Sequence, residues 1–166
     1  WNNENFEEKK LSKRYTFVTS IGDRSFQDCS ALKTMIIPSS VISIGKEAFN
    51  CCYSLNKITI PSSVASIGEG AFSECILLME VKILSSIKSI ENNTFDHCIK
   101  LTDLSLPASL VSIWSYALCK CNDLIKLEIP SSVTTVSDHA FEDCSYLIEI
   151  SIPQSVTSIG DNAFAN

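Results

Sequence analysis

Residues 55–77, LNKITIPSSVASIGEGAFSECIL, decide the fold, because the chain keeps returning to them. Their frame, L-x-x-L-x-L-P-x-x-V-x-x-I-G-x-x-A-F-x-x-C-x-x, recurs at 23-residue steps on either side. Cys29, Cys52, Cys75, Cys98, Cys121 and Cys144 form one column, and Leu32, Leu55, Leu78, Leu101, Leu124 and Leu147 a second. Phe26, Phe49, Phe72, Phe95, Leu118, Phe141 and Phe164 form a third. A fixed period of this size marks a repeat array, whose core is a row of layers rather than a ball. Ordering a backbone costs about 1–2 kcal/mol per residue. A buried large apolar side chain returns only roughly 1.5–3 kcal/mol, so one repeat cannot fold without its neighbours.

Each repeat divides into three arms. In 124–129, Leu127 and Ile129 alternate with Lys126 and Glu128, the period of a half-buried strand. Pro130 ends that strand because it has no N–H to give. Pro38, Pro61, Pro107 and Pro153 share its column, and Leu84 is the exception. Successive strands run in one direction, which predicts a parallel sheet. In the second arm Val133 and Val136 point inward. A Ser/Thr column there (Ser20, Ser43, Ser66, Ser89, Ser112, Thr135, Ser158) is expected to bond the irregular backbone. In the third arm Val136, Ala140, Phe141 and Cys144 recur at three- and four-residue steps, which predicts a short helical or 3-10 turn. Asp23, Glu47, Glu69, Asn92, Asp138 and Asp161 suit its positive end. Gly22, Gly45, Gly68 and Gly160 precede the turn. Glu91, Trp114 and Ser137 fill the same column, so a positive φ is not compulsory there.

Working outward, residues 17–166 follow the pattern, and the repeat that starts at Leu147 stops before its ladder cysteine. The expectation is a fragment of a longer array, or a trimmed chain. Residues 1–16 fit poorly and read as a degenerate half-repeat or an N-terminal cap. Of the 166 residues, 45% are hydrophobic and 19% charged, too apolar for a disordered chain. The net charge of −6 excludes a phosphate-backbone binder and a surface that clings to anionic lipid. No apolar run reaches the ~20 residues of a membrane span, so no membrane insertion is expected of this chain. The first residues have no apolar core of a signal peptide.

The Leu, Pro, Gly, Ala-Phe and Cys columns over residues 17–166 closely resemble the BspA-like (Treponema pallidum-type) class of leucine-rich repeats. The resemblance implies a leucine-rich-repeat solenoid of 23-residue repeats with a parallel β-sheet on the concave face. Short extended pieces and helical or 3-10 turns would form the convex side. It also implies a non-enzymatic protein-binding or adhesion module, part of a longer surface protein, since many such proteins sit on bacterial or protozoan surfaces and bind host matrix proteins. The alternative is an intracellular protein-interaction scaffold, which suits eight cysteines held reduced in a cytosol. The chain departs from the pattern at 78–123, with Leu84, Glu91, Trp114 and Leu118.

The partner-binding candidates are the outward side chains of the concave sheet: Lys57, Glu80, Lys82, Asp103, Lys126, Glu128 and Glu149. Lys57 stands beside Glu80, and Lys126 between Asp103 and Glu149. Such pairs either satisfy one another across strands, at about 0.2–1 kcal/mol each, or present a mixed-charge surface to a protein ligand. Trp114 and Tyr116 are a second candidate, an exposed aromatic patch, the alternative being that Trp114 fills the space Leu118 leaves. The cysteine ladder reads as reduced core thiols. Stacked sulfurs lie parallel rather than meeting, even at a spacing of about 4.8 Å. Cys51 and Cys119 lie off the ladder and are expected at the surface. Cys119 approaches His97 from the next layer, but two ligands do not make a zinc site, and His139 sits elsewhere. No phosphate loop or catalytic set is present, so no cofactor, metal or enzyme activity is expected. Asn92-Asn93-Thr94 is a glycosylation sequon. The raw layer after Ile159 invites end-to-end self-association.

Overall fold

The computed structural model describes residues 18–166, so the expected cap at 1–16 lies outside the described residues. In chain order the strands are β1 (Ser20–Ile21), β2 (Ser43–Ile44), β3 (Lys57–Ile60), β4 (Ser66–Ile67), β5 (Glu80–Ile83), β6 (Ser89–Ile90), β7 (Asp103–Ser105), β8 (Ser112–Ile113), β9 (Lys126–Glu128), β10 (Thr135–Val136), β11 (Glu149–Ser151) and β12 (Ser158–Ile159). The odd members from β3 onward belong to the first arm, and β1 with the even members to the second. Each pairs parallel with its counterpart one repeat away, as Ile58 with Val81 and Ile44 with Ile67. The result is a parallel β-solenoid of stacked coils. The second arm thus carries a ladder of its own.

The interior is the set of columns seen in the sequence. Phe49, Phe72, Cys75, Leu78, Phe95, Cys98, Leu101, Cys121 and Leu124 are fully buried. Successive rings stack nearly flat, Phe26 on Phe49 at 5.1 Å, Phe49 on Phe72 at 5.3 Å and Phe72 on Phe95 at 5.6 Å. The stack stops at Leu118 and resumes with Phe141 on Phe164 at 5.1 Å. Each ladder thiol from Cys52 onward donates to a carbonyl in the coil before, Cys75 Sγ to Phe49 O and Cys98 Sγ to Phe72 O at 3.2 Å each.

The third arm is not helical among the described residues; it is a run of tight turns. Two columns take φ between 53° and 61°, the left-handed region that side chains usually avoid. One is Arg24, Glu47, Gly70, Asn93, Tyr116, His139 and Asn162, and the other Asp28, Cys51, Glu74, His97, Lys120 and Asp143. The left-handed residues interrupt the helical sense and turn alternate N–H groups along the array. Arg24, Phe26 and Asp28 therefore donate to Lys46 O, Ala48 O and Asn50 O in the next coil at 2.8–2.9 Å. The three- and four-residue spacing came from these turns.

The side-chain acceptors also act between coils rather than at a helix end. Asp23, Asn92 and Asp138 accept the backbone N–H one repeat later, from Lys46, Ser115 and Asp161, at 2.8–3.0 Å. At Gly45 and Gly160 glycine is set by this contact and not by φ. A Cβ on Gly45 would lie 2.4 Å from Asp23 Oδ1 and 2.6 Å from Asp23 N. The hydroxyls that tie coils together belong to a different serine column from the expected one. Ser63 Oγ donates to Val41 O and Ser109 Oγ to Ile87 O, at 2.7 and 2.8 Å.

Leu84 explains one irregularity. Unlike proline it has an N–H, which donates to Ile60 O at 2.9 Å and carries the ladder one residue further. The second arm of that coil is displaced: Ser85 is buried with its hydroxyl unpartnered, and β4 and β6 fall into separate ladders.

Candidate protein-binding face

The first-arm strands share one face of the solenoid. Alternation buries Ile58, Val81, Leu104 and Leu127 and turns Lys57, Lys82, Asp103, Lys126, Glu128 and Glu149 outward, with Glu80 half-buried. Register places Lys57 beside Glu80, Glu80 beside Asp103, and Lys126 beside Glu149. The ion pairs follow this only in part. Lys82 Nζ meets Glu80 Oε1 along its own strand at 2.5 Å, while Lys126 Nζ meets Glu149 Oε1 at 2.8 Å and Glu128 Oε1 at 3.9 Å. The hydrogen bond from Lys82 lowers the Glu80 pKa and raises that of Lys82, and the hydrogen bond to Glu149 raises the Lys126 pKa. Lys126 does not bridge Asp103 and Glu149 as the column spacing implied, because no ladder joins β7 to β9. A cleft of about 600 Å³ opens there, lined by Leu104, Ser105, Leu106, Lys126, Glu128 and Ile129 among others. Regular spacing cannot reveal it; the only sequence signal is that the coil at 101–123 is among those departing from the pattern.

Trp114 and Tyr116 are 40% and 38% exposed, but the ring contact of Tyr116 is with His139, stacked at 4.6 Å. A second hollow of about 400 Å³ lies on the turn side, lined by Asp96, His97, Tyr116, Cys119, Lys120 and Glu142 among others. His97 Nδ1 lies 2.8 Å from Asp96 Oδ1, and its Nε2 3.2 Å from Lys120 Nζ. The ring therefore donates from Nδ1 and accepts from the ammonium at Nε2. His139 Nδ1 is 3.0 Å from Glu142 Oε2. Cys119 is buried, contrary to expectation, and burial pushes its thiol up to about 12. Cys51 is half-buried. No three His, Cys, Asp or Glu side chains converge to hold a metal ion among the described residues. The sequon is built into its coil: Asn92 accepts from Ser115 N, and the buried Thr94 donates to Glu91 O at 2.8 Å.

A family model described as the BspA type leucine-rich repeat region matches residues 2–91 and 74–166. The leucine-rich repeat protein of T. pallidum is 33% identical with a TM-score of 0.82, covering 86% of this chain and 67% of its own. One from Eubacterium ventriosum is 28% identical with a TM-score of 0.75, covering 81% of this chain; the chain spans only 36% of that protein. One from Bacteroides ovatus is 27% identical with a TM-score of 0.54, covering 89% of this chain and 55% of its own. No curated protein sequence matches the chain.

Proposed function

Because the chain belongs to the BspA-type leucine-rich repeat family, whose members are generally protein-interaction modules, we propose that it binds a protein partner through its first-arm face, without catalysis, as part of a surface or secreted adhesion protein. The observation that carries this is the face itself: five parallel strands, in ladders of three and two, holding three lysines and four carboxylates, largely outward. An extended, pre-ordered surface loses little entropy on association. Mixed charge selects a partner of complementary pattern more than it adds affinity. Trp114 is a second anchor of the kind found at binding hot spots.

The test is retention of the chain on immobilised extracellular-matrix protein. The triple variant Glu80→Lys, Asp103→Lys, Glu128→Lys is expected to lose binding at least tenfold; unchanged retention overturns the assignment of the face. The intracellular-scaffold reading is favoured by the cysteines, all eight of which are free. A secretory signal or anchor in the parent reading frame decides between the two.

A further inference from the structure

Read outward from Asp103 in both directions, the charges of the first-arm face are inverted sign for sign. One coil away, Glu80 and Lys82 on one side answer Lys126 and Glu128 on the other, position for position. Two coils away, Lys57 answers Glu149 and Thr59 answers Ser151. The ladders fix these columns: Lys57, Glu80 and Asp103 stand in register, as do Lys126 and Glu149. Where no ladder joins β7 to β9, Asp123 N donates to Ile99 O at 3.0 Å and Lys100 Nζ meets Asp123 Oδ2 at 2.9 Å, so the two halves stay in one stack. Lys57, Lys82, Asp103, Lys126, Glu128 and Glu149 are exposed, and Glu80 is half-buried. The neighbouring column holds exposed Met79 and Ile125, again one coil to either side.

We propose that the first-arm face is self-complementary and that its protein partner is a second copy of this chain. Such pairing rests on the reading of this face as the contact surface. A two-fold axis along β7 turns one copy over, keeps the strand direction and reverses the order of the coils. Lys57 then faces Glu149 of the second copy, Glu80 faces its Lys126 and Lys82 its Glu128, and each pair occurs twice. The ion pairs within each copy, Lys82 with Glu80 and Lys126 with Glu149, join these into one alternating network. Isolated surface pairs contribute little, but a network of them fixes register. Met79 meets Ile125 and adds apolar burial. Asp103 meets its own copy at the axis, where the short side chains of Asp103 and Ser105 leave room for water. A neighbouring register does not serve: moving the axis by half a coil sets Lys57 on Lys126 and Glu80 on Asp103.

The experiment follows the whole chain by sedimentation velocity over a concentration series at low and at high salt. The wild type is expected to dimerise, more tightly at low salt. Lys82→Glu and Glu128→Lys each set like charges opposite one another and weaken dimerisation by about tenfold or more. Mixed in equal amounts, the two variants pair with each other, because each then meets its opposite. Lys57→Glu and Glu149→Lys repeat the test if either variant does not give a wild-type circular dichroism spectrum. A monomeric wild type, single variants that dimerise as the wild type does, or a mixture that fails to associate would each overturn the self-pairing. Loss of matrix retention in the charge-reversed triple variant together with a monomeric wild type leaves the face standing and removes the second copy alone.

Discussion

At the scale of single residues, the cysteines carry the clearest consequences. Burial raises the thiol pKa of Cys52 to about 11 and that of Cys144 to about 12, and lifts Cys75, Cys98 and Cys121 well above the ordinary 9.0. Thiolate is the reactive form. Native alkylation with iodoacetamide at pH 8 should therefore label only the exposed Cys29 and half-buried Cys51, and denaturation should release all eight, as read by mass spectrometry. The sign for stability follows. The unfolded chain loses these protons from about pH 9, whereas the folded chain holds them to about pH 11 or beyond. Stability is thus full below pH 9 and falls as pH rises toward 11. Cys98→Ala should flatten that slope in urea titrations at a series of pH values. A second prediction concerns the left-handed columns, where a side chain costs about 1 kcal/mol or more. Glu74, at φ 61°, has no ion pair to lose among the described residues. Glu74→Gly should raise stability by about 0.5–1 kcal/mol in urea unfolding, the reverse of glycine's usual effect.

At the scale of elements, the strands were legible and the turns were not. Alternation in KITI, EVKI and KLE marks the first arm because one face is buried and one is wet. The two-residue second-arm strands offer too little length for a period to show. In the third arm the buried positions Ala140, Phe141 and Cys144 have the spacing of a helix face, and only backbone dihedrals separate turns from a helix. Left-handed glutamate, cysteine, histidine and lysine give no sequence signal, since glycine holds just one of those positions. Leu84 was visible as an exception, and its effect follows from one N–H. Leu84→Pro removes the bond to Ile60 O and lets the second arm fall into step with its neighbours. Hydrogen exchange should then show the Lys88 and Glu91 amides, which flank β6 and donate to no backbone carbonyl among the described residues, becoming protected, with a net stability change of about 1 kcal/mol or less.

At the scale of the molecule, stability is a sum over neighbouring layers. Phe72 stacks on both Phe49 and Phe95, so its loss opens a hole against two coils. Phe72→Ala should cost about 3–5 kcal/mol. It should also uncouple the two halves, so that tryptophan fluorescence and circular dichroism, expected to coincide in wild-type urea unfolding, separate in the variant. The architecture could be read from the columns because every layer votes for the same answer. The cleft between β7 and β9 could not, since it depends on how unlike coils tilt against each other. The turn ladder has one more effect. Its inter-coil N–H groups all point toward later coils and its carbonyls toward earlier ones, from Arg24 to Lys46 O through Asp143 to Ala165 O. Peptide moments add along this ladder, while the inter-coil N–H groups of the other two arms, such as Gly45 to Ile21 O and Met79 to Asn56 O, point toward earlier coils and oppose them. The turn side and the strand sides of the solenoid thus carry opposite axial polarities, and the stack offers no single pole for a charged object to seek.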